Sequence, residues 1–230
     1  MKLHDIRKPS SKMDLHFWSG EITRVRAPRI AVMGTDCAVG KRTTTRWLME
    51  ACNQAGIKTE MIFTGQTGWM QSRHDYGFLF DSTPNDFVSG ELEDAIVRCD
   101  RECSPDLILL EGQSSLRNPS GPCGSEFLCS AMAKGVILQH VPGRKTLHFT
   151  KASLPMPDIQ GDLELIKVYG ARTLALTLSS KGLDSTELED IRIAHHSSLG
   201  LPVFLPKENG VEEIVAIISQ FLMCSDSNKK

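Results

Sequence analysis

Gly34-Thr35-Asp36-Cys37-Ala38-Val39-Gly40-Lys41 is a glycine-bracketed loop ending in lysine, and the apolar run Arg29-Ile30-Ala31-Val32-Met33 leads into it. The residues after Lys41 pattern as a helix. Trp47, Leu48, Ala51, Cys52 and Ala55 form one stripe, and Gly56 is placed to cap it. Strand, glycine loop, helix N-terminus is the order in which α/β proteins hold a polyphosphate. Backbone N–H groups line such a loop, the helix dipole favours negative charge, and Lys41 adds a movable cation. Two details depart from the common pattern. Five residues rather than four separate the glycines, and Arg42 stands where a Ser or Thr normally holds magnesium. The ligand cradle expected from this stretch runs from Gly34 through Lys41 and Arg42 to Thr43 and Thr44.

Working outward, further strand-like runs fall at Met61–Phe63, Leu107–Leu110, Val136–Leu138, Leu174–Leu178 and Val203–Leu205. They are mostly continuous rather than alternating, as suits strands buried on both faces of a parallel sheet. Helical stripes lie between them: Leu92, Ala95, Ile96 and Cys99; Leu163, Ile166 and Val168; Leu188, Ile191 and Ala194; and Val211, Ile214, Ile217, Ile218 and Phe221. The alternation predicts a three-layer α/β/α sandwich with a mainly parallel sheet. Residues 1–28 read as an arm or linker, 29–224 as the α/β domain, and 225–230 as a flexible tail. Long loops at Gly65–Asp86, Gly112–Ser125 and Val141–Pro157 follow strand C-termini, the ligand edge of an open sheet.

Composition narrows the function classes. The chain has 230 residues, 40% hydrophobic and 23% charged, with a formal net charge of −2. That size and balance suit one soluble α/β domain, and the charge provides no field for nucleic acid. Only the first 29 residues are basic, through Lys2, Arg7, Lys8, Lys12, Arg24, Arg26 and Arg29, and a solvated arm is the plain reading. No apolar run reaches the roughly 18–20 residues of a membrane span, and the N-terminus lacks an apolar signal core. The seven cysteines form no C-x-x-C pair, which argues against a disulfide framework or zinc site and fits a reducing cytoplasm. Cys37 lies in the loop, where small buried packing is its expected role.

Other motifs collect at the same edge. Leu107-Ile108-Leu109-Leu110-Glu111-Gly112-Gln113 is an apolar strand ending in a carboxylate, suited to act as a base or to hold magnesium through water. Thr64-Gly65-Gln66-Thr67-Gly68-Trp69 reads as a compact polar turn. In His140-Val141-Pro142-Gly143-Arg144, Arg144 is suited to clamp a carboxylate or phosphate bidentately, and a structural imidazole is the plain reading of His140. Asp86-Phe87-Val88-Ser89-Gly90-Glu91 reads as the approach to a helix with Ser89 as N-cap, and Asp86 as a capping or site residue. His195 and His196, late on a helix, read as structural.

Taken together, Gly34–Lys41 with Arg42-Thr43-Thr44, Thr64–Gly68, Asp86-Phe87-Val88, Glu111-Gly112-Gln113 and Pro142-Gly143-Arg144 resemble the phosphate-loop domain of the D-glutamate N-acetyltransferase-like family. The resemblance runs from about Asp5 to Pro206. A wider similarity is to dethiobiotin synthetase, whose loop also begins Gly-Thr-Asp. The resemblance implies a phosphate-loop NTPase-like fold and acetyl transfer from acetyl-CoA to the amine of D-glutamate. It also implies an N-terminal Rossmann-like domain, which a separate chain would supply here; a homo-oligomer is the other assembly left open. The family commonly carries a glutamate where Val141 stands and an asparagine near Ser179.

Three functions follow as expectations. In the first, an N-acyltransferase uses acetyl-CoA; the loop holds the diphosphate, and Lys41, Glu111 and Arg144 carry the chemistry. Gln66, Thr67, Asp86, Gln113, His140 and Arg144 then surround a small-molecule substrate. In the second, ATP with magnesium, held by Thr43 and Glu111, activates a carboxylate or gives up a phosphoryl group. Thr43 lies one residue beyond the usual slot, turned by about 100°. In the third, the chain is a non-catalytic nucleotide-binding module.

Overall fold

A computed structural model describes residues 5, 7–8, 11–71, 76–121 and 123–227, the last three as helix backbone. Six strands, β1 (Arg29–Gly34), β2 (Thr59–Ile62), β3 (Leu107–Glu111), β4 (Gly135–His140), β5 (Arg172–Leu178) and β6 (Val203–Phe204), form one sheet in the order β2-β3-β1-β4-β5-β6. Every pairing is parallel. The helices are α1 (Lys41–Gln54), α2 (Gln66–Gln71), α3 (Asn85–Cys103), α4 (Ser125–Leu128), α5 (Ile159–Val168), α6 (Ser185–Leu199), α7 (Pro206–Asn209) and α8 (Glu212–Ser227).

All six expected strands form, and they do so because their apolar runs are buried on both faces. In β3, Leu107 and Leu109 join one core with Leu48 and Cys52 of α1 and Ile214, Ile218 and Phe221 of α8. Ile108 and Leu110 point the other way, into a core with Leu92 and Ile96 of α3, Phe127 of α4, Ile166 of α5 and Leu188 of α6. Each fully buried Leu or Ile contributes about 1.5–3 kcal/mol relative to exposure. A register shift between β4 and β5 at Val136/Ile137 lets the neighbours Leu174 and Ala175 both reach the α1–α8 side. β1 lies at the centre, flanked by β3 and β4. The loops after these three strands therefore converge on one crevice at the sheet's C-terminal edge.

Some local expectations are corrected. Thr64–Trp69 is not a plain turn, since Gln66–Gln71 closes into a helix. Helix α3 begins at Asn85, so Ser89 lies inside it, hydrogen-bonded to Ser130 Oγ at 2.9 Å rather than capping. Trp47, Val168 and Ala194 belong to their helices but are exposed, because the apolar stripe is narrower than the sequence pattern. Ser225–Ser227 continue α8, whereas 228–230 and Lys2 lie outside the described residues.

Residues 16–27 lie along α3 and are held there by its carboxylates. Glu93, buried on α3, accepts from Ser19 N–H, from Ser19 Oγ at 2.9 Å and from Ile22 N–H at 3.0 Å, and Ile22 is fully buried. These bonds hold the Glu93 carboxyl below its ordinary pKa although burial acts to raise it. Glu91 accepts from His16 N–H at 2.8 Å, and Asp100 from Ala27 N–H at 3.1 Å. Gly90 permits the approach: a Cβ there would lie 2.0 Å from the His16 carbonyl oxygen. Gly90→Ala is thus expected to destabilise the fold by about 1–3 kcal/mol, as overpacking against backbone does. Urea unfolding checks this, and an unchanged midpoint would mean that the segment is not seated on α3.

Candidate functional site

The glycine loop leaves β1 at Gly34 and enters α1 at Lys41. Gly34 has to be glycine because a Cβ would lie 2.7 Å from Val39 Cγ2 and 3.1 Å from Lys41 Nζ. Gly40 takes φ +107°, a region glycine enters freely, while Ala38 adopts φ +51°, left-handed and uncommon for a side-chain-bearing residue. The base of the loop rests on β4. Thr35 N–H donates to the Gln139 carbonyl at 3.0 Å, and Thr35 Oγ1 bonds His140 Nδ1 at 2.8 Å. The buried Gln139 Oε1 accepts from Thr44 Oγ1 at 2.6 Å and Thr177 Oγ1 at 2.8 Å. Burial pushes the His140 pKa down to about 4, with His195 and Arg144 adding to the effect, so the ring is neutral at physiological pH. His140 thereby supports the loop through Thr35.

Lys41 is buried, and its Nζ donates to the carbonyls of Asp36 at 2.8 Å and Ser114 at 2.7 Å. Both acceptors are neutral, so burial lowers its pKa to about 8. Cys37 is half-buried rather than fully packed away, and its Sγ donates to Ser114 Oγ at 3.1 Å.

Asp36 is fully buried and binds three loops together. Its carboxylate accepts from Cys37 N–H, Asn118 Nδ2, Arg144 Nη1 and His148 N–H, each at 2.7 Å. Burial acts to raise its pKa, but these four donors outweigh burial and hold it below the ordinary aspartate value. The guanidinium of Arg144 also donates to the carbonyls of Cys37 at 2.6 Å and Ala38 at 3.2 Å. Three of the five Arg144 N–H donors are thus engaged by the glycine loop itself.

Glu111 closes β3 beneath α2. Its Oε2 accepts from Thr64 N–H at 3.1 Å, and Thr64 Oγ1 donates to the Glu111 carbonyl at 2.6 Å. Gln113 Nε2 donates to Thr64 Oγ1 at 2.9 Å. Gly68 of α2 passes so close that a Cβ would lie 2.5 Å from Glu111 Oε2. Gln66 and Thr67 open this short helix and are half-buried, whereas Asp86 is exposed on the first turn of α3. Burial raises the Glu111 pKa, against opposing pulls from Thr64 N–H, Arg42 and Lys41. A carboxylate beside two cations, with its proton affinity raised, is chemically poised as a base.

The Thr44 and Thr45 hydroxyls that follow Lys41 are engaged within the protein. Arg42 occupies the usual magnesium slot, Thr43 is exposed, Thr44 donates to Gln139, and Thr45 Oγ1 donates to the Lys41 carbonyl at 2.8 Å. Among the described residues no three His, Cys, Asp or Glu side chains gather around a metal position, and no helix is long and apolar enough to cross a membrane. Asn118, His148, Ser114 and Gln139 are site residues that the sequence reading passed over.

Comparison with known proteins follows the same lines. The chain is 27% identical over 237 residues to a D-glutamate N-acetyltransferase of Pseudoalteromonas sp, covering 93% of this chain and 64% of that protein. To a D-glutamate N-acetyltransferase of Tritonibacter scottomollicae it is 26% identical, covering 93% and 63%. The chain therefore spans just under two thirds of the length of these curated relatives. A crystal structure of a DUF1611 family protein from Anabaena variabilis superposes with a TM-score of 0.85 at 23% identity, covering 94% of this chain and 63% of that one. Cobyrinic acid a,c-diamide synthase from Mycobacterium smegmatis, with ADP and magnesium bound, superposes with a TM-score of 0.52 at 11% identity, covering 89% and 97%, which shows a shared P-loop NTPase-like fold. The profile described as "Domain of unknown function (DUF1611_C) P-loop domain" matches residues 16–215, and the chain belongs to that family.

Proposed function

We propose that this chain is the P-loop part of an acyl-CoA-dependent N-acetyltransferase acting on a small acidic amino acid of the D-glutamate type. The observation that carries the reading is Arg42 in the magnesium slot, next to hydroxyls already engaged by Gln139 and the Lys41 carbonyl. A diphosphate cradled by N–H groups, Lys41 and a guanidinium needs no metal to balance its charge. The names of the two curated relatives point to the same chemistry.

In that reaction the amine of the amino acid attacks the thioester carbonyl. The C–N bond forms, the C–S bond breaks, and the departing thiolate takes up the proton that the attacking nitrogen sheds as it becomes an amide. Glu111 receives the proton that the substrate ammonium gives up before attack. N–H groups of the loop hold the diphosphate at the far end of the pantetheine arm from the thioester. The neutral His140 and the engaged Arg144 take no part in proton transfer.

Ligand binding tests the reading on the part of the relatives' length that this chain matches. In a thermal-shift panel, acetyl-CoA with a chelator present is expected to stabilise the wild type. Stabilisation by ATP only with magnesium, and none by acetyl-CoA, would instead favour the ATP-dependent, dethiobiotin synthetase-like reading. Arg42→Thr is expected to weaken metal-free acetyl-CoA binding by roughly tenfold or more, as removal of one partner of a charged pair does. Calorimetry in chelator checks that number, and an unchanged Kd would remove Arg42 from the cradle.

A further inference from the structure

The bonds around Asp36 and Arg144 have a directional effect on the cradle. In a trans peptide the C=O and the following N–H point to opposite sides, and none of the described peptide bonds is cis. Arg144 holds the Cys37 carbonyl at 2.6 Å and the Ala38 carbonyl at 3.2 Å. The N–H groups of Ala38 and Val39 must then point away from Arg144. Ala38 sits at φ +51°, a conformation that a non-glycine residue leaves unless its surroundings hold it. The bond from Arg144 to its carbonyl is such a hold. Asp36, in turn, fixes Arg144 through Nη1 at 2.7 Å and is itself braced by Asn118 and His148 from two other loops. The Arg144 side chain is 13% exposed and that of Asp36 is 0%.

We infer that Arg144 is a positioning residue: paired with Asp36, it holds the Cys37 and Ala38 carbonyls so that the Ala38 and Val39 N–H groups face the diphosphate, and it touches no ligand itself. The inference rests on the diphosphate reading of the loop and adds which side chains preorganise it. It differs in its consequences from a direct ionic contact. If Arg144 met the phosphates, deleting the nearby negative charge of Asp36 would tighten anion binding. If the pair acts by holding backbone, deleting either partner loosens the cradle.

The test is calorimetry in chelator with two probes, inorganic pyrophosphate and acetyl-CoA, on the wild type, Asp36→Asn, Arg144→Gln and the double variant. Each single variant is expected to weaken both probes by about 10–100-fold, the effect typical of groups that orient a binding shell. The double variant is expected to be no weaker than the worse single one, because both changes break the same device. Arg144→Lys keeps a charge for Asp36 without the planar fork. It is expected to fold like the wild type and bind at an intermediate level, which covers the case in which Arg144→Gln does not fold. Tighter pyrophosphate binding by Asp36→Asn, additive losses in the double variant, or wild-type affinity in both Arg144 variants would overturn the inference. Failure of the wild type to bind either probe would instead remove the diphosphate reading on which it stands.

Discussion

Lys41→Met is expected to weaken pyrophosphate and acetyl-CoA binding by ~100-fold or more, equivalent to ~3 kcal/mol, without loss of the fold. The ammonium is buried against two carbonyls, so it enters the ligand-free state already stripped of water and with its pKa lowered to about 8. A diphosphate replaces neutral acceptors with charged ones and draws that pKa back up. Binding and protonation of Lys41 are therefore linked. Affinity is full below pH 8 and falls as pH rises through and above that value, because the ligand-free protein must then take up a proton in order to bind. Calorimetry in buffers of different ionisation enthalpy reads this uptake directly near pH 8.5. The sign for folding is the opposite. A lysine whose folded pKa lies below its unfolded value makes the native state bind fewer protons, so its charge works against stability at neutral pH. The methionine variant, which lacks that desolvated charge, should unfold at or above the wild-type midpoint at pH 7. Unchanged affinity in that variant, with no proton uptake in the wild type, would mean that the loop holds no anion.

The framework of this site is legible in the sequence, and its wiring is not. β1, β3 and β4 announce themselves because strands buried on both faces must be apolar throughout, and a loop that has to bring backbone to a phosphate must carry glycine at Gly34 and Gly40. The end of β3 was equally readable, since a carboxylate closing such a run is conspicuous. Arg144 was visible as a cation at the ligand edge, but residue type cannot say whether a guanidinium meets a ligand or a backbone. Its partner Asp36 is 108 positions away in sequence. Asn118 lies in a Pro- and Gly-containing loop that reads as a surface connection, and it becomes a site residue only where that loop folds back to Asp36. Thr64–Trp69 reads as a turn because it holds two glycines. Gly68 is there for a different reason, the approach of α2 to the Glu111 carboxylate.

Glu111→Gln is expected to abolish acetyl transfer, measured on a chain or complex shown to be active, while leaving acetyl-CoA binding within a few-fold of wild type. An amide cannot accept the ammonium proton, yet its oxygen can still accept from Thr64 N–H as the carboxylate does at 3.1 Å. The same change should raise stability. Burial lifts the Glu111 pKa above its unfolded value, so between the two values the native state binds more protons than the unfolded one. Stability contributed by this group is then present at low pH and lost as pH rises through the folded pKa. At pH 7 the wild type carries a desolvated charge that the glutamine variant lacks, and the variant should melt higher. The difference should shrink as pH falls below the ordinary glutamate value, where both side chains are neutral. For the wild type, the transfer rate should fall as pH drops through the raised Glu111 pKa. A gain in stability joined to a loss of turnover is what a strained functional carboxylate predicts. A glutamine variant that melts lower at pH 7 would show that Glu111 is there to hold Thr64 in place, and the base would have to be sought elsewhere in the crevice.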